Sequence, residues 1–211
     1  MEHQFWHQKW RANEIGFHEN DVNHLLAAHY SDLRISSGDR FFLPLCGKTR
    51  DIAWLLSKGH KVAGVELSEV AVKQLFEDLG VEPEISNSSE LKRYRAESID
   101  IFVGDLFALS YESLGNVHAV YDRAALVALP GDMRTPYCKH LSAVTRCAPQ
   151  LLITFDYDQN AMAGPPFSIS TAELQGHYAD IYQIDHLAGI AVKNGLKGQI
   201  EAVENAWLLT R

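Results

Sequence analysis

Two short stretches combine a backbone turn with a carboxylate at a spacing that suits nucleoside binding. Phe41-Phe42-Leu43-Pro44-Leu45-Cys46-Gly47-Lys48 is an apolar run ending in a tight Pro/Gly turn, and Val62-Ala63-Gly64-Val65-Glu66 is a second run ending on a lone acid. In an α/β unit this order brings the turn and the acid together at the carboxyl ends of neighbouring parallel strands. An acid about 20 residues past the turn accepts hydrogen bonds from ribose hydroxyls there. The turn is poor in glycine, which argues against a phosphate cradle. A nucleoside cofactor without a pyrophosphate is the better match, and S-adenosylmethionine answers that description.

Further along, Val103-Gly104-Asp105-Leu106 ends a third apolar run on an acid. Asp105 can accept from an adenine amine while Leu106 packs on the ring, although Gly-Asp after a strand is also common turn chemistry. Asp122-Arg123 closes a fourth run. Arg123 is expected either in an exposed ion pair or at a buried rim, where its guanidinium would hold the cofactor's methionine carboxylate in a two-pronged bond or steer an anionic substrate. Trp6, Trp10 and Phe17 precede these runs; they read as core packing or as a cover that excludes water and offers an aromatic face to a sulfonium cation. Among ten histidines, His3 and His7 are four apart, but no Cys or carboxylate pattern completes a metal site, and none is expected. Cys46 is expected to pack beside the turn; the alternative is a thiol whose pKa a helix N-terminus lowers.

These residues require strands to carry them. Strands are expected at 40–44, a continuous apolar run of the kind buried on both faces, at 61–66, over 117–121 as a strand end, and at 151–155, a buried strand. Helices are expected at 4–12, at 22–30 capped by Asn20 or Asp21, at 49–58 closed by Gly59, from Ser68 to Leu79 closed by Gly80, at 132–147, and from Ser170 or Thr171 to His177. Residues 81–90 read as loop. Leu91–Ala96 and Ile99–Val103 either pair or leave only the second in the main sheet. Ile181–Ile190 and Gln199–Leu209, with Asn194-Gly195 between them, suggest an antiparallel pair closing the sheet. The pattern describes an α/β doubly wound sheet, mostly parallel with antiparallel edge strands.

The 211 residues suit one domain, and a 46% hydrophobic content supplies a sizeable core. A formal charge of −8 argues against a nucleic-acid partner. The short basic cluster Lys92-Arg93-Tyr94-Arg95, flanked by Glu90 and Glu97, reads as solvated surface. Three cysteines at unrelated spacings favour a reducing compartment, and neither a targeting segment nor a membrane span is evident, so a cytoplasmic location is expected.

Taken together the chain resembles the thiopurine S-methyltransferase family, particularly its bacterial members. The likeness rests on Trp6-x-x-x-Trp10 with Gly16-Phe17-His18, on Phe42 to Lys48, on Gly59-His60-x-Val62-x-Gly64-Val65-Glu66-Leu67-Ser68, and on Asp122-Arg123-Ala124-Ala125-Leu126-Val127-Ala128. It continues through Pro130-Gly131-Asp132-Met133-Arg134 and Gly164-Pro165-Pro166-Phe167. The resemblance implies a Rossmann-like class I S-adenosylmethionine-dependent methyltransferase, a single domain with residues 1–31 as an N-terminal helical lid and 40–211 as the core. It implies cofactor contacts from Trp10, Leu45, Glu66 and Arg123, with Asp105 and Leu106 at the adenine, an acceptor pocket lined by Phe17, and a lid shaped by Trp6; a secondary role for Arg123 at an anionic acceptor is read from its chemistry. A later basic residue near the acceptor falls around Lys193. The implied reaction is S-methylation of aromatic or heterocyclic thiols, extending to selenium or tellurium compounds, by a monomer without a dedicated general base or metal.

Overall fold

The computed structural model describes residues 3–15, 19 and 21–211. One nine-stranded sheet, in the order β3-β4-β5-β2-β1-β6-β7-β9-β8, runs through the molecule. Its parallel centre comprises β1 (Arg40–Pro44), β2 (Lys61–Glu66), β5 (Ile99–Val103), β6 (Ala119–Asp122) and β7 (Gln150–Asp156). Antiparallel strands flank this centre. They are β3 (Glu84–Ser88) and β4 (Leu91–Ala96) at one edge, and β8 (Gln183–Ala191) and β9 (Val203–Thr210) at the other.

Helices cover both faces. Leu25 and Leu26 of α2 (His24–His29), Ile52 and Leu55 of α3 (Arg50–Ser57), and Val72, Leu75 and Phe76 of α4 (Glu69–Leu79) pack on one side with Phe41. On the other side α5 (Tyr111–Leu114), α6 (Gly131–Val144) and α7 (Thr171–Tyr178) bring Leu114, Tyr137, Leu141 and Tyr178 against Phe42. Phe41 and Phe42 are fully buried on opposite faces because successive strand side chains alternate. Each contributes about 1.5–3 kcal/mol of apolar burial. That is why the run reads as continuously apolar rather than alternating. A further helix, α1 (His3–Arg11), lies outside the sheet beside α4.

The chain leaves β1 toward β2 and β5 on one side, then crosses to β6 and β7 on the other. The strand order therefore reverses between β1 and β6, and a crevice opens at their carboxyl ends.

Three local expectations change, and one open alternative is settled. Residues 84–88 form an edge strand rather than loop, because β4 supplies a backbone ladder; Glu-Ile-Ser-Asn-Ser is mostly exposed and shows no apolar alternation to reveal it. Asn23, rather than Asp21, caps α2: its side-chain oxygen accepts from the N–H groups of Leu25 and Leu26. The other candidate cap, Asn20, lies outside the described residues. The sixth helix begins at Gly131 and ends at Val144, three residues before the expected stop, with Arg146 and Cys147 at positive φ. Both strands of the 91–103 pair join the sheet, and the basic cluster in β4 is paired at the surface, Lys92 with Glu69 and both Arg93 and Arg95 with Asp100.

Candidate active site

A cavity of about 720 Å³ opens at the switch point, lined by the turn after β1, the ends of β2 and β6, helix α1, the Gly164–Pro166 loop and the 196–197 turn. Its first end is built from short-range pieces. Glu66, at the tip of β2, is 5% exposed; its Oε2 accepts from Gly47 N–H at 2.8 Å and its Oε1 from Ser68 N–H at 2.8 Å. Burial pushes the Glu66 carboxyl upward, and the N–H bonds from Ser68, Gly47 and Leu67 oppose that shift. Each oxygen retains an acceptor site beyond its backbone bond.

Gly47 reaches its position at φ +52°, and a Cβ there would lie 3.0 Å from Cζ2 of Trp10. The indole of Trp10, 3% exposed, thus packs directly on the turn. Leu45 precedes it at φ +47°. Gly64 permits a close approach between parts of the protein itself: a Cβ there would meet Cys46 Sγ at 2.8 Å and Ile101 Cδ1 at 2.9 Å. Cys46 is buried beside the turn as expected, but its thiol is pushed well up by burial and by Glu66, not lowered by the helix.

Asp105 and Leu106 line a neighbouring pocket of about 30 Å³, which shares Leu45 and Leu67 with the large cavity. Asp105 Oδ1 accepts from Phe107 N–H at 3.0 Å, and Leu106 is buried. Its turn chemistry and its place beside the cavity are therefore both real. His140 Nε2 lies 2.9 Å from Leu106 O, holding this corner against α6.

The other end is assembled from distant segments. Arg123, with its side chain 12% exposed, places Nη2 2.6 Å from Glu19 Oε2 and Nη1 3.7 Å from Asp51 Oδ2. Asp51 is fully buried and also accepts from Asn23 N–H, Thr49 Oγ1 and Tyr121 Oη. Glu204 reaches in from β9 and accepts from Asn23 Nδ2 at 3.1 Å; burial pushes its carboxyl upward. Burial opposes charge on Arg123, but Tyr121, Asp51, Glu19 and Glu204 carry its pKa above the ordinary value. Asp122 and Arg123 do not act as a pair. Asp122 turns away to accept from Leu126 N–H and from Tyr137 Oη at 2.6 Å, and burial pushes it up to about 6.

Trp6 and Trp10 both line the cavity, with Lys9 and Glu14 at its mouth, where they pair at 2.6 Å. Phe17 lies outside the described residues. The basic residue placed around Lys193 is corrected: Lys193 is exposed and does not line the cavity, whereas Lys197 does, donating to Pro165 O at 2.7 Å. Sequence reading also missed Asp51, Tyr121 and Glu204. Asp51 alone carried a signal, as an acid in the first turn of α3, and that position usually marks a helix end rather than a site.

A family model described as Thiopurine S-methyltransferase matches residues 1–210. A thiopurine S-methyltransferase of Xanthobacter autotrophicus is 52% identical over 212 residues, covering 100% of both chains. Among solved structures, the 1,6-didemethyltoxoflavin-N1-methyltransferase of Burkholderia thailandensis, bound to 1,6-didemethyltoxoflavin and S-adenosylhomocysteine, superposes with a TM-score of 0.68 at 15% identity, covering 99% of this chain and 87% of that one. Magnesium protoporphyrin IX methyltransferase from Synechocystis, with S-adenosylhomocysteine bound, gives 0.62 at 13% identity and 99% coverage of each. These two likenesses show the fold, that of S-adenosylmethionine-dependent methyltransferases. With the family match running almost end to end, this chain belongs to the thiopurine S-methyltransferase family.

Proposed function

We propose that the protein transfers the methyl group of S-adenosylmethionine to the sulfur of an aromatic or heterocyclic thiol such as a thiopurine, in the cavity between β1 and β6. The observation that carries the reading is Glu66. It is a buried carboxylate locked by backbone N–H groups, with acceptor sites left over, on the wall of a cavity large enough for a nucleoside and an acceptor. Ribose hydroxyls supply the donors such a group requires. Asp105 and Leu106 then flank the adenine where the small pocket joins the large cavity at Leu45 and Leu67, Leu45 and Trp10 hold the thioether side, and Arg123 takes a carboxylate. When bound, the cofactor supplies an electrophilic methyl on a sulfonium.

The chain's own contribution is to position, desolvate and orient. Transfer requires acceptor, methyl and sulfonium nearly in line, so holding both partners in one cavity supplies most of the acceleration. Among the described lining residues there is no histidine, and burial pushes the Cys46 thiol and Tyr121 phenol well up, away from use as bases. A thiol already partly ionised near neutrality requires no strong base, which favours sulfur over oxygen or nitrogen acceptors. The same softness admits selenium and tellurium nucleophiles. Ile153, Phe155 and Val127 offer an apolar bed for a planar acceptor, with Lys197 at its edge.

Residues 1–31 act in this reading as a helical lid segment over the 40–211 core of a single methyltransferase domain, 1–211. Support comes from Phe5, Trp6 and Trp10 of α1, which face the cavity from outside the sheet. The three free cysteines suit the cytoplasm.

The test is methyl transfer from labelled S-adenosylmethionine to a thiopurine or thiophenol by wild type, Glu66→Ala and Arg123→Ala. Loss of each contact is expected to weaken cofactor binding by about 1–3 kcal/mol. Cofactor binding without turnover on any thiol would refute the acceptor assignment, and no cofactor binding would refute the whole reading.

A further inference from the structure

We infer that Glu19 is a specificity-determining residue: it occupies the ligand-facing edge of the Arg123 guanidinium, so a carboxylate-bearing ligand must displace it to bind. The inference rests on the proposed methyl-transfer site and names the chemistry that Arg123 selects. Two carboxylates flank Arg123 and differ in kind. Asp51 is fully buried, sits 3.7 Å from Nη1, and is tied to Asn23, Thr49 and Tyr121. It is a permanent neighbour that keeps the guanidinium aimed into the cavity. Glu19 sits 2.6 Å from Nη2 with its side chain 52% exposed, and it lines the same cavity.

A half-exposed carboxylate regains water when it swings away, so its displacement is cheap. Expulsion of Asp51 would strand a buried charge. The planar fork of arginine binds one carboxylate edge-on, so an incoming carboxylate competes directly with Glu19 for Nη2. The segment is also tethered: four residues further on, Asn23 N–H is fixed to Asp51 Oδ1 at 2.8 Å, which keeps Glu19 close at high effective concentration. Ligands without a carboxylate escape this competition. The carboxylate has two sources, the amino-acid end of the cofactor or a substituent on the acceptor.

The experiment measures binding of S-adenosylhomocysteine and of methylthioadenosine, which has the same nucleoside thioether but no carboxylate. Wild type, Glu19→Gln, Arg123→Gln and the double variant are titrated, and KM is measured for two acceptors, thiosalicylate with a carboxylate and thiophenol without one. Glu19→Gln is expected to tighten S-adenosylhomocysteine about three- to tenfold, leave methylthioadenosine unchanged, and lose the gain when Arg123 is also replaced. A gain confined to thiosalicylate, seen as a lower KM while thiophenol is unaffected, assigns the carboxylate to the acceptor and equally supports the competition. Equal change for carboxylated and uncarboxylated ligands, no change for any, or a gain that survives Arg123→Gln overturns it. Wild type that binds no S-adenosylhomocysteine overturns the cofactor reading and this inference together, a result distinct from binding that ignores Glu19.

Discussion

The two ends of the cavity are built by opposite strategies. At the Glu66 end the carboxylate is held by near neighbours: Glu66 is 19 residues from Gly47 and two from Ser68, and backbone N–H groups make the bonds. At the Arg123 end the groups come from positions 19, 51, 121 and 204, and side chains make the bonds. A strand–turn–helix unit predisposes the first end as soon as β1 and β2 pair. The second exists only once α2, α3, β6 and β9 have all docked. In the proposed reading the first is the rigid half that takes the nucleoside, and the second is the adjustable half that reads a ligand's charge.

The largest effect that tests this contrast is expected from Asp51→Ala. It removes the shared acceptor of Asn23 N–H, Thr49, Tyr121 and Arg123, leaving a buried cation short of its permanent partner. Stability measured by urea unfolding should drop by about 3–5 kcal/mol. Unchanged stability would mean that the assembled end is not held together through Asp51.

A second effect sharpens the contrast within β6 and the residue that follows it, where Asp122 faces Tyr137 while Arg123 faces the cavity. The native Asp122 carboxyl is pushed up to about 6 from 3.8 by burial. The native state therefore binds more protons than the unfolded chain between those values, and this group lowers stability as pH rises from about 4 to 6. Relative to Asp122→Asn, the wild type should lose about 3 kcal/mol of unfolding free energy across that window and stay lower above it. Parallel stability profiles for the two proteins would refute the assignment.

Gly47→Ala tests the local end. Its φ of +52° and the 3.0 Å approach of Trp10 should cost about 1–2 kcal/mol of stability and weaken S-adenosylhomocysteine binding as the indole is pushed off the turn. An alanine variant that binds as tightly as wild type would show that the turn is not packed this closely. The smallest effect separates two lysines. Lys197→Ala should raise KM for an anionic thiol by about threefold, and Lys193→Ala should leave it unchanged, since only Lys197 lines the cavity. The reverse ranking would restore the position chosen from sequence.

How much of this was legible follows the same division. Glu66, Leu45, Asp105 and Leu106 lie where apolar strand runs stop, and a stop is visible in any sequence as an abrupt change of residue type. Trp10 was legible as an aromatic but not as the neighbour of Gly47, a contact that spans two segments with no shared pattern. The edge strand at 84–88 was hidden because its order derives from the β4 ladder rather than from its own side chains. Lys193 and Lys197 lie on the same connection between β8 and β9, and nothing in composition distinguishes them. Only the closure of that turn, with Lys197 Nζ on Pro165 O, decides which ammonium faces the cavity.

Local residue patterns specify the strand–turn–acid units and the alternation of strands and helices. These depend on local propensity and burial pattern, which short windows encode. Tertiary structure alone decided the surroundings of Arg123, because an ion pair between positions 19 and 123 or a carboxylate offered from 204 depends on how far-separated elements dock. It also decided that Asp122 turns its back on its neighbour, since alternate residues of a strand face opposite sides and only the sheet's packing settles which side holds the site.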